Sequence, residues 1–147
     1  MDELIGRLAE VFDLQSASVL LAWDQEICMP PAGAEARSEL RATVGRLAHE
    51  RFVDERVGEL LAAAAPRDEI EADVVRIVGR DHEKSRRVPT ELVAEMTRTA
   101  ATARTAWAKA RAENDFASFA PHLERNVELR RRYSACFPEA EHVYDPL

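Results

Sequence analysis

Apolar residues recur at helical spacing along most of the chain. Between Asp2 and about Gln25 they lie mainly three, four or seven residues apart, which is typical of one face of a helix. Pro30 and Pro31 follow, and a proline ends a helix because it removes a backbone donor and restricts the residue before it. We therefore predict a long first helix with a wide apolar stripe. The stripe consists of Leu4, Leu8, Val11, Phe12, Val19, Leu20, Leu21 and Trp23.

Three shorter helices are predicted in the next part of the chain. The second begins after Gly33 and runs to about Arg51. Asp54 has the chemistry of an N-cap for a short third helix, which Pro66 closes. A fourth helix ends in the polar run 81–87. The apolar positions that define the second and fourth helices are Leu40, Val44 and Leu47, and then Ile70, Val74, Ile77 and Val78.

The segment between Thr90 and Glu113 carries the clearest pattern, a heptad-like seam in which alanines permit close helix approach. The seam consists of Leu92, Met96, Ala100, Ala103, Trp107 and Ala110. Trp107 is accordingly predicted to lie in a core or an interface.

A sixth helix is predicted after a break at residues 114–115. Ser118 is its expected cap, and Pro121 is tolerable in a first turn whose amides are unpaired. The fold class is therefore all-α, with about six helices in long antiparallel hairpins, coiled-coil-like packing and an elongated shape. We predict a helical domain over 1–137 and a connector or tail over 138–147.

Composition and charge narrow the range of partners and compartments. The formal net charge is −7 and acidic and basic residues alternate, so nucleic acid is not an expected partner. No apolar run approaches the ~20 residues of a membrane span. Cys28 and Cys136 belong to no CxxC pair, which favours neither a disulfide framework nor a metal knuckle and fits a cytoplasmic setting.

No segment of the sequence completes a zinc-peptidase motif. Such a site needs two histidines four residues apart, with a glutamate beside the first. His82 and Glu83 begin the pattern, but Arg86 stands in place of the second histidine, and Val53 does so after His49. His122 and His142 have no histidine nearby, so we predict no catalytic, cofactor-binding or metal-binding residue and no cofactor. A different enzyme using His82-Glu83 or Cys28, including a spatial Cys-His pair, stays a remote alternative.

Two polar clusters have both structural and functional interpretations. A tryptophan beside acids at a helix end, as at residues 23–26, could line a ligand groove, but a packed helix terminus is favoured because polar groups there usually satisfy backbone atoms. The run 124–132 is rich in arginine and glutamate. A solvated face with ion pairs at spacing i, i+4 is favoured over a binding patch.

Several ungapped segments resemble the carboxypeptidase Taq family in order along the chain. Residues 20–37 read LLAWDQEICMPPAGAEAR and resemble its N-terminal signature, as does LAHE at 47–50. VPTELV at 88–93 and DFASFAPHLE at 115–124 are similar to its fifth and sixth helical segments, and HVYD at 142–145 is similar to the start of its next connector. The resemblance covers essentially the whole chain.

The resemblance implies a largely helical, cytosolic and often homodimeric metallocarboxypeptidase whose N-terminal helices help to cover a deep groove. In that family the zinc-binding helix, third ligand and substrate-binding residues lie beyond the equivalent of Leu147, so none can be carried over. We therefore expect a truncated family protein without the catalytic half, inactive by itself, that acts as a helical lid or dimerisation module. The alternative is a stand-alone interaction or regulatory protein that forms a homodimer or binds a helical partner.

Overall fold

The chain consists of six α-helices and no strand in a computed structural model that describes residues 1–147. This confirms the all-α class and the number of helices. A single 3-10 turn, Pro31–Gly33, separates the first two helices. The helices are α1 Asp2–Ile27, α2 Ala34–Phe52, α3 Glu55–Ala62, α4 Glu69–Arg86, α5 Thr90–Glu113 and α6 Phe116–Ser134.

Aspartate side chains cap three of the helices. Asp54 caps α3, Asp68 caps α4 and Asp115 caps α6, each accepting a hydrogen bond from a first-turn amide. The prediction that Ser118 caps α6 is wrong, because its amide is the one that Asp115 satisfies at 3.2 Å. Pro121 consequently lies inside α6 rather than in its first turn. The break at residues 114–115 was placed correctly, but α6 begins at Phe116, two residues before the predicted cap.

Helix α2 lies at the centre of the arrangement. It contacts α1 on one side and α5 on the other, and α5 in turn packs against α6. The short α3 contacts α1 and α4, and α4 also touches α2. The antiparallel hairpins, the coiled-coil-like packing and the elongated shape stay predictions.

Small residues allow α2 to approach its neighbours closely. Ser38, Ala42 and Ala48 are the buried positions of α2, and a Cβ on Gly45 would lie only 3.2 Å from Oγ1 of Thr97 on α5. Backbones that approach this closely leave little room for large side chains between them. As a result, only 16 of the 147 residues are buried, and eight of the twelve buried hydrophobic residues are alanine or valine rather than larger groups.

The predicted α5 seam is partly wrong. Leu92, Ala103 and Ala110 are buried as predicted, but Ala100 is exposed. Trp107 is 43% exposed, with the guanidinium of Arg104 stacked 4.7 Å from its ring centroid, so it does not lie in a core. The buried positions of α5 differ from the predicted seam because α5 packs against both α2 and α6. A coiled-coil pattern assumes a single partner face.

The largest apolar cluster joins the start of α5 to the end of α6. Val88, Leu92, Leu129 and Phe137 are its buried members. Phe137 follows α6 directly, so the cluster reaches the boundary at which the tail 138–147 was predicted to begin. The boundary between the helical domain and the tail stays a prediction. No helix is long and apolar enough to cross a membrane.

Candidate functional site

A wide groove lies between α1, α2 and α4. Its volume is about 780 Å³. Helix α1 contributes an apolar wall, while α2 and α4 contribute most of the polar groups. The apolar wall consists mainly of Leu8, Val11, Phe12, Val19 and Ala22, and the principal polar residues are Arg41, His49, Asp81 and Ser85.

Two basic side chains of α2 in this groove are held by hydrogen bonds to groups outside α2. The Nε2 atom of His49 lies 3.0 Å from the carbonyl oxygen of Val88. Burial lowers the pKa of His49, and the Val88 carbonyl opposes that shift. Arg41 donates to Oε1 of Gln25 at 3.0 Å, and burial lowers the pKa of this guanidinium too. The Nε atom of Arg41 is buried with no hydrogen-bond partner.

One face of α1 is apolar and uncovered. We call it the α1 stripe and define it as Ile5, Phe12, Val19, Trp23 and Ile27. Phe12 is 67% exposed and Val19 is 68% exposed, although both also line the groove. Only Leu4 and Val11 of this long helix are buried. The predicted first helix therefore forms, but most of its large apolar side chains find no partner in the chain.

The interpretation of residues 23–26 as a packed helix terminus is wrong for the tryptophan. Trp23 is 59% exposed. The polar residues beside it connect helices instead. Asp24 forms an ion pair with Arg37, and Glu26 accepts from Nε of Arg104 on α5 at 2.9 Å. These contacts fix the end of α1 against α2 and α5 and leave the indole on the open side.

The four histidines do not come together. His82 is 2% exposed, packs edge-on against Phe52 with 5.8 Å between ring centroids, and has no partner for its buried Nε2. His122 stacks on Phe119, and His142 stacks on Tyr144 in the tail. No group of three or more His, Cys, Asp or Glu residues could hold a metal ion.

The arginine-rich run 124–132 divides into paired and unpaired members. Arg125 pairs with Glu128 and with Glu95 of α5, and Arg132 reaches the other oxygen of Glu95 at 2.8 Å. The ion pairs are therefore at spacing i, i+3 and between helices, not i, i+4. Arg130 and Arg131 lie in the same run and form no ion pair.

The two cysteines are free thiols. Cys28 is exposed at the end of α1, and Cys136 lies partly buried just after α6, with its Sγ 3.5 Å from the Arg132 carbonyl oxygen. No disulfide joins them.

Sequence reasoning missed the groove and its Arg41. The signal was the series of small residues Ser38, Ala42, Gly45 and Ala48, whose spacing of four, three and three marks a helix face on which backbones approach closely. Arg41 lies on that helix among these small buried residues, which makes its guanidinium a candidate polar group of the groove.

The fold defines a class: an all-α chain of closely packed helices with an apolar face of α1 exposed beside a groove. Residues 3–147 match the family model of Carboxypeptidase Taq (M32) metallopeptidase. The chain belongs to this family.

Relatives and solved structures agree with that assignment. Thermostable carboxypeptidase 1 of Pyrococcus furiosus is 28% identical over 148 residues, and Carboxypeptidase 1 of Bacillus subtilis is 28% identical over 152. Each comparison covers 99% of this chain and 30% of the relative. The BsuCP crystal structure superposes with a TM-score of 0.93 at 25% identity, again over 99% of this chain and 30% of that one. The chain thus spans about 30% of the length of the relatives it matches.

Proposed function

We propose that this chain is the helical lid of a metallocarboxypeptidase, a module that packs against a catalytic body and covers its groove. The observation that carries the proposal is the α1 stripe beside the groove, an apolar surface with no partner within the chain. The relatives contain a further 70% of sequence that this chain does not match. A catalytic body of that size supplies the kind of surface that the stripe lacks.

The solvent-accessible area supports the same conclusion. The chain exposes 9615 Å². A compact monomer of 16.5 kDa is expected to expose about 7,600 Å². The excess of about 2,000 Å² is larger than the roughly 800 Å² that one partner contributes to a standard interface, and it falls in the range of obligate contacts. An apolar stripe within an excess of this size supports the proposal that another surface covers it.

We infer that the isolated chain releases no C-terminal residues from peptides. Activation of a metal-bound water requires a set of ligands, and His82, Glu83 and Arg86 do not provide it. Stoichiometric zinc should accordingly leave the melting temperature unchanged. A cytoplasmic setting stays a prediction from cysteine usage alone.

A chimera tests the lid function. The matched segment of Bacillus subtilis Carboxypeptidase 1 is replaced by this chain, and release of C-terminal residues from peptides is measured. We expect an active chimera, because the backbone superposition covers 99% of this chain. The same chimera with Phe12→Glu and Val19→Glu should lose assembly and activity, since two carboxylates would be buried without partners.

The matched control is Ile70→Glu, which makes the same kind of exchange at an exposed residue of α4 outside the groove lining. It should leave the chimera active. If the stripe variant and the control have equal activity, the stripe does not contact the catalytic body, and the lid proposal fails.

The excess surface also supports the alternative of a stand-alone protein that self-associates, in which a second copy covers the stripe. Light scattering coupled to size exclusion over a dilution series separates the two. A stable species near twice 16.5 kDa favours self-association. A folded monomer at every concentration favours a lid whose partner is a catalytic body.

A further inference from the structure

A second cavity, remote from the groove, lies between α6 and the tail. Its volume is about 460 Å³. We call it the α6 cleft. The lining is mainly apolar, with two arginines: Leu123, Asn126, Val127, Arg130, Arg131, Ser134, Val143, Tyr144 and Leu147.

The tail forms a fixed wall of the α6 cleft. Ser134 donates from its hydroxyl to the carbonyl oxygen of Val143 at 2.9 Å. Asp145 accepts from the amide of His142 at 2.8 Å, and the His142 and Tyr144 rings stack. Pro146 is buried. A wall held in this way keeps its shape before a ligand arrives, which reduces the entropy lost on binding.

Arg130 and Arg131 are free to bind an external acid. Most arginines of this chain are ion-paired, including both neighbours in the run, Arg125 and Arg132. By contrast, Arg130 and Arg131 are exposed and contact no carboxylate. In a chain with a formal net charge of −7, two adjacent unpaired guanidiniums beside an apolar cavity form a local cationic site.

The helical spacing places the two arginines on opposite sides of a line formed by the apolar Leu123 and Val127 and by Ser134. Each residue advances about 100° around a helix of 3.6 residues per turn. Leu123, Ser134 and Val127 therefore fall within about 40° of one another, with Arg130 about 20° beyond one edge and Arg131 about 40° beyond the other. The line from Leu123 to Ser134 is about 16 Å long, or about three turns.

We propose that the α6 cleft is a docking site for an acidic amphipathic helix of a partner protein. Apolar residues of that helix would lie between Val127 and Tyr144, and carboxylates on both sides of its apolar face would accept from Arg130 and Arg131. Guanidinium–carboxylate pairs are charge-assisted and bidentate, so they fix the register of the bound helix. This site is separate from the α1 stripe and does not depend on the lid function.

Other ligand classes fit less well. A nucleic acid needs a continuous cationic track, whereas Glu124 and Glu128 interrupt the basic residues of α6. A short apolar peptide would satisfy the cavity wall but leave both guanidiniums unused. Two cations flanking an apolar line match the pattern of a helix with acids on each border of its apolar face.

The test uses the full chain and a fluorescein-labelled 18-residue helical peptide with leucines at i, i+3, i+4 and i+7 and glutamates on both borders. We expect saturable binding by fluorescence anisotropy that weakens as salt rises. Arg130→Gln with Arg131→Gln should weaken binding about tenfold. A peptide with glutamine in place of glutamate should bind the parent chain about tenfold more weakly as well. Glutamine keeps the helix propensity of arginine, and circular dichroism checks the fold of the variant.

The matched control exchanges two unpaired arginines elsewhere, Arg51→Gln and Arg111→Gln, and should leave binding unchanged. Val127→Glu should abolish binding, because it places a carboxylate in the apolar line. No saturable binding, or equal binding to the double arginine variant, overturns the proposal. Self-association without peptide that Val127→Glu abolishes would show that a second copy occupies the cleft, and this also overturns it.

Discussion

Substitution of Gly58 by alanine should destabilise the fold, although alanine favours helices. Gly58 lies in α3, and a Cβ there would lie 3.1 Å from Cε1 of His82. That distance is shorter than ordinary van der Waals contact. The imidazole is 2% exposed and packs edge-on against Phe52, so it has little room to move away.

Two effects of opposite sign decide the result. Alanine in place of glycine inside a helix stabilises by about 0.8–1 kcal/mol. Insertion of a methyl group into a filled site costs about 1–3 kcal/mol. The steric cost is the larger because the neighbour, His82, is a buried ring between two helices and not the end of a flexible side chain. We expect a net loss of about 0–2 kcal/mol for Gly58→Ala.

Gly79→Ala is the matched control. Gly79 lies in α4, and nothing lies within 4 Å of a Cβ there, so only the helix-propensity gain applies. Unfolding in urea, monitored by circular dichroism, gives the free energy of unfolding of each variant by linear extrapolation. Gly79→Ala should be about 1 kcal/mol more stable than the parent, and Gly58→Ala should be about 1–3 kcal/mol less stable than Gly79→Ala.

The double variant Gly58→Ala with His82→Ala tests whether the loss of stability comes from contact with the His82 ring. Removal of the ring should relieve the clash, so the two substitutions should be less costly together than the sum of their separate effects. Equal stabilisation by Gly58→Ala and Gly79→Ala would refute the reasoning, because it would mean that His82 does not fill the space beside α3.

Three further predictions concern stability. Burial lowers the pKa of His82, so below about pH 6.5 the unfolded chain binds a proton more readily than the folded chain does. The free energy of unfolding should therefore decrease as the pH is lowered through this range. His82→Gln should reduce this pH dependence, as measured by urea unfolding at a series of pH values. Leu129→Ala, in the largest apolar cluster, should cost about 2–5 kcal/mol by the same assay, and a cost below 1 kcal/mol would contradict the packing. Ser134→Ala should cost about 1 kcal/mol and speed amide exchange near Val143, because the hydroxyl that holds the tail is lost.

Helix positions could be predicted well because their signals are local. Prolines and capping aspartates determine where a helix begins or ends through contacts within a single turn. Both bounds of α5, Thr90–Glu113, were therefore predicted, and the end of α1 was predicted to within two residues. The α6 start was misplaced because Asp115 and Ser118 are both good caps, and only the fold shows which amide each side chain meets.

Burial could not be predicted from periodicity in the same way. The pattern identifies an apolar face but not what covers it. Trp107 lies on the predicted seam yet stays exposed, because the alanines around it bring α5 into contact with two neighbours and leave no pocket for an indole. Phe12 and Val19 lie on an equally good apolar face of α1, and nothing in the chain covers them.

The distribution of small residues explains why the uncovered face lies on α1. Helix α2 uses serine, alanine and glycine to meet α1 and α5 at short range, and close backbones bury little apolar area per contact. Large apolar residues therefore accumulate where the helices do not meet, above all on the α1 stripe. A chain built in this way obtains only part of its stability from its own core. The proposed lid function therefore predicts that covering the stripe stabilises the chain as well as excluding water from the groove.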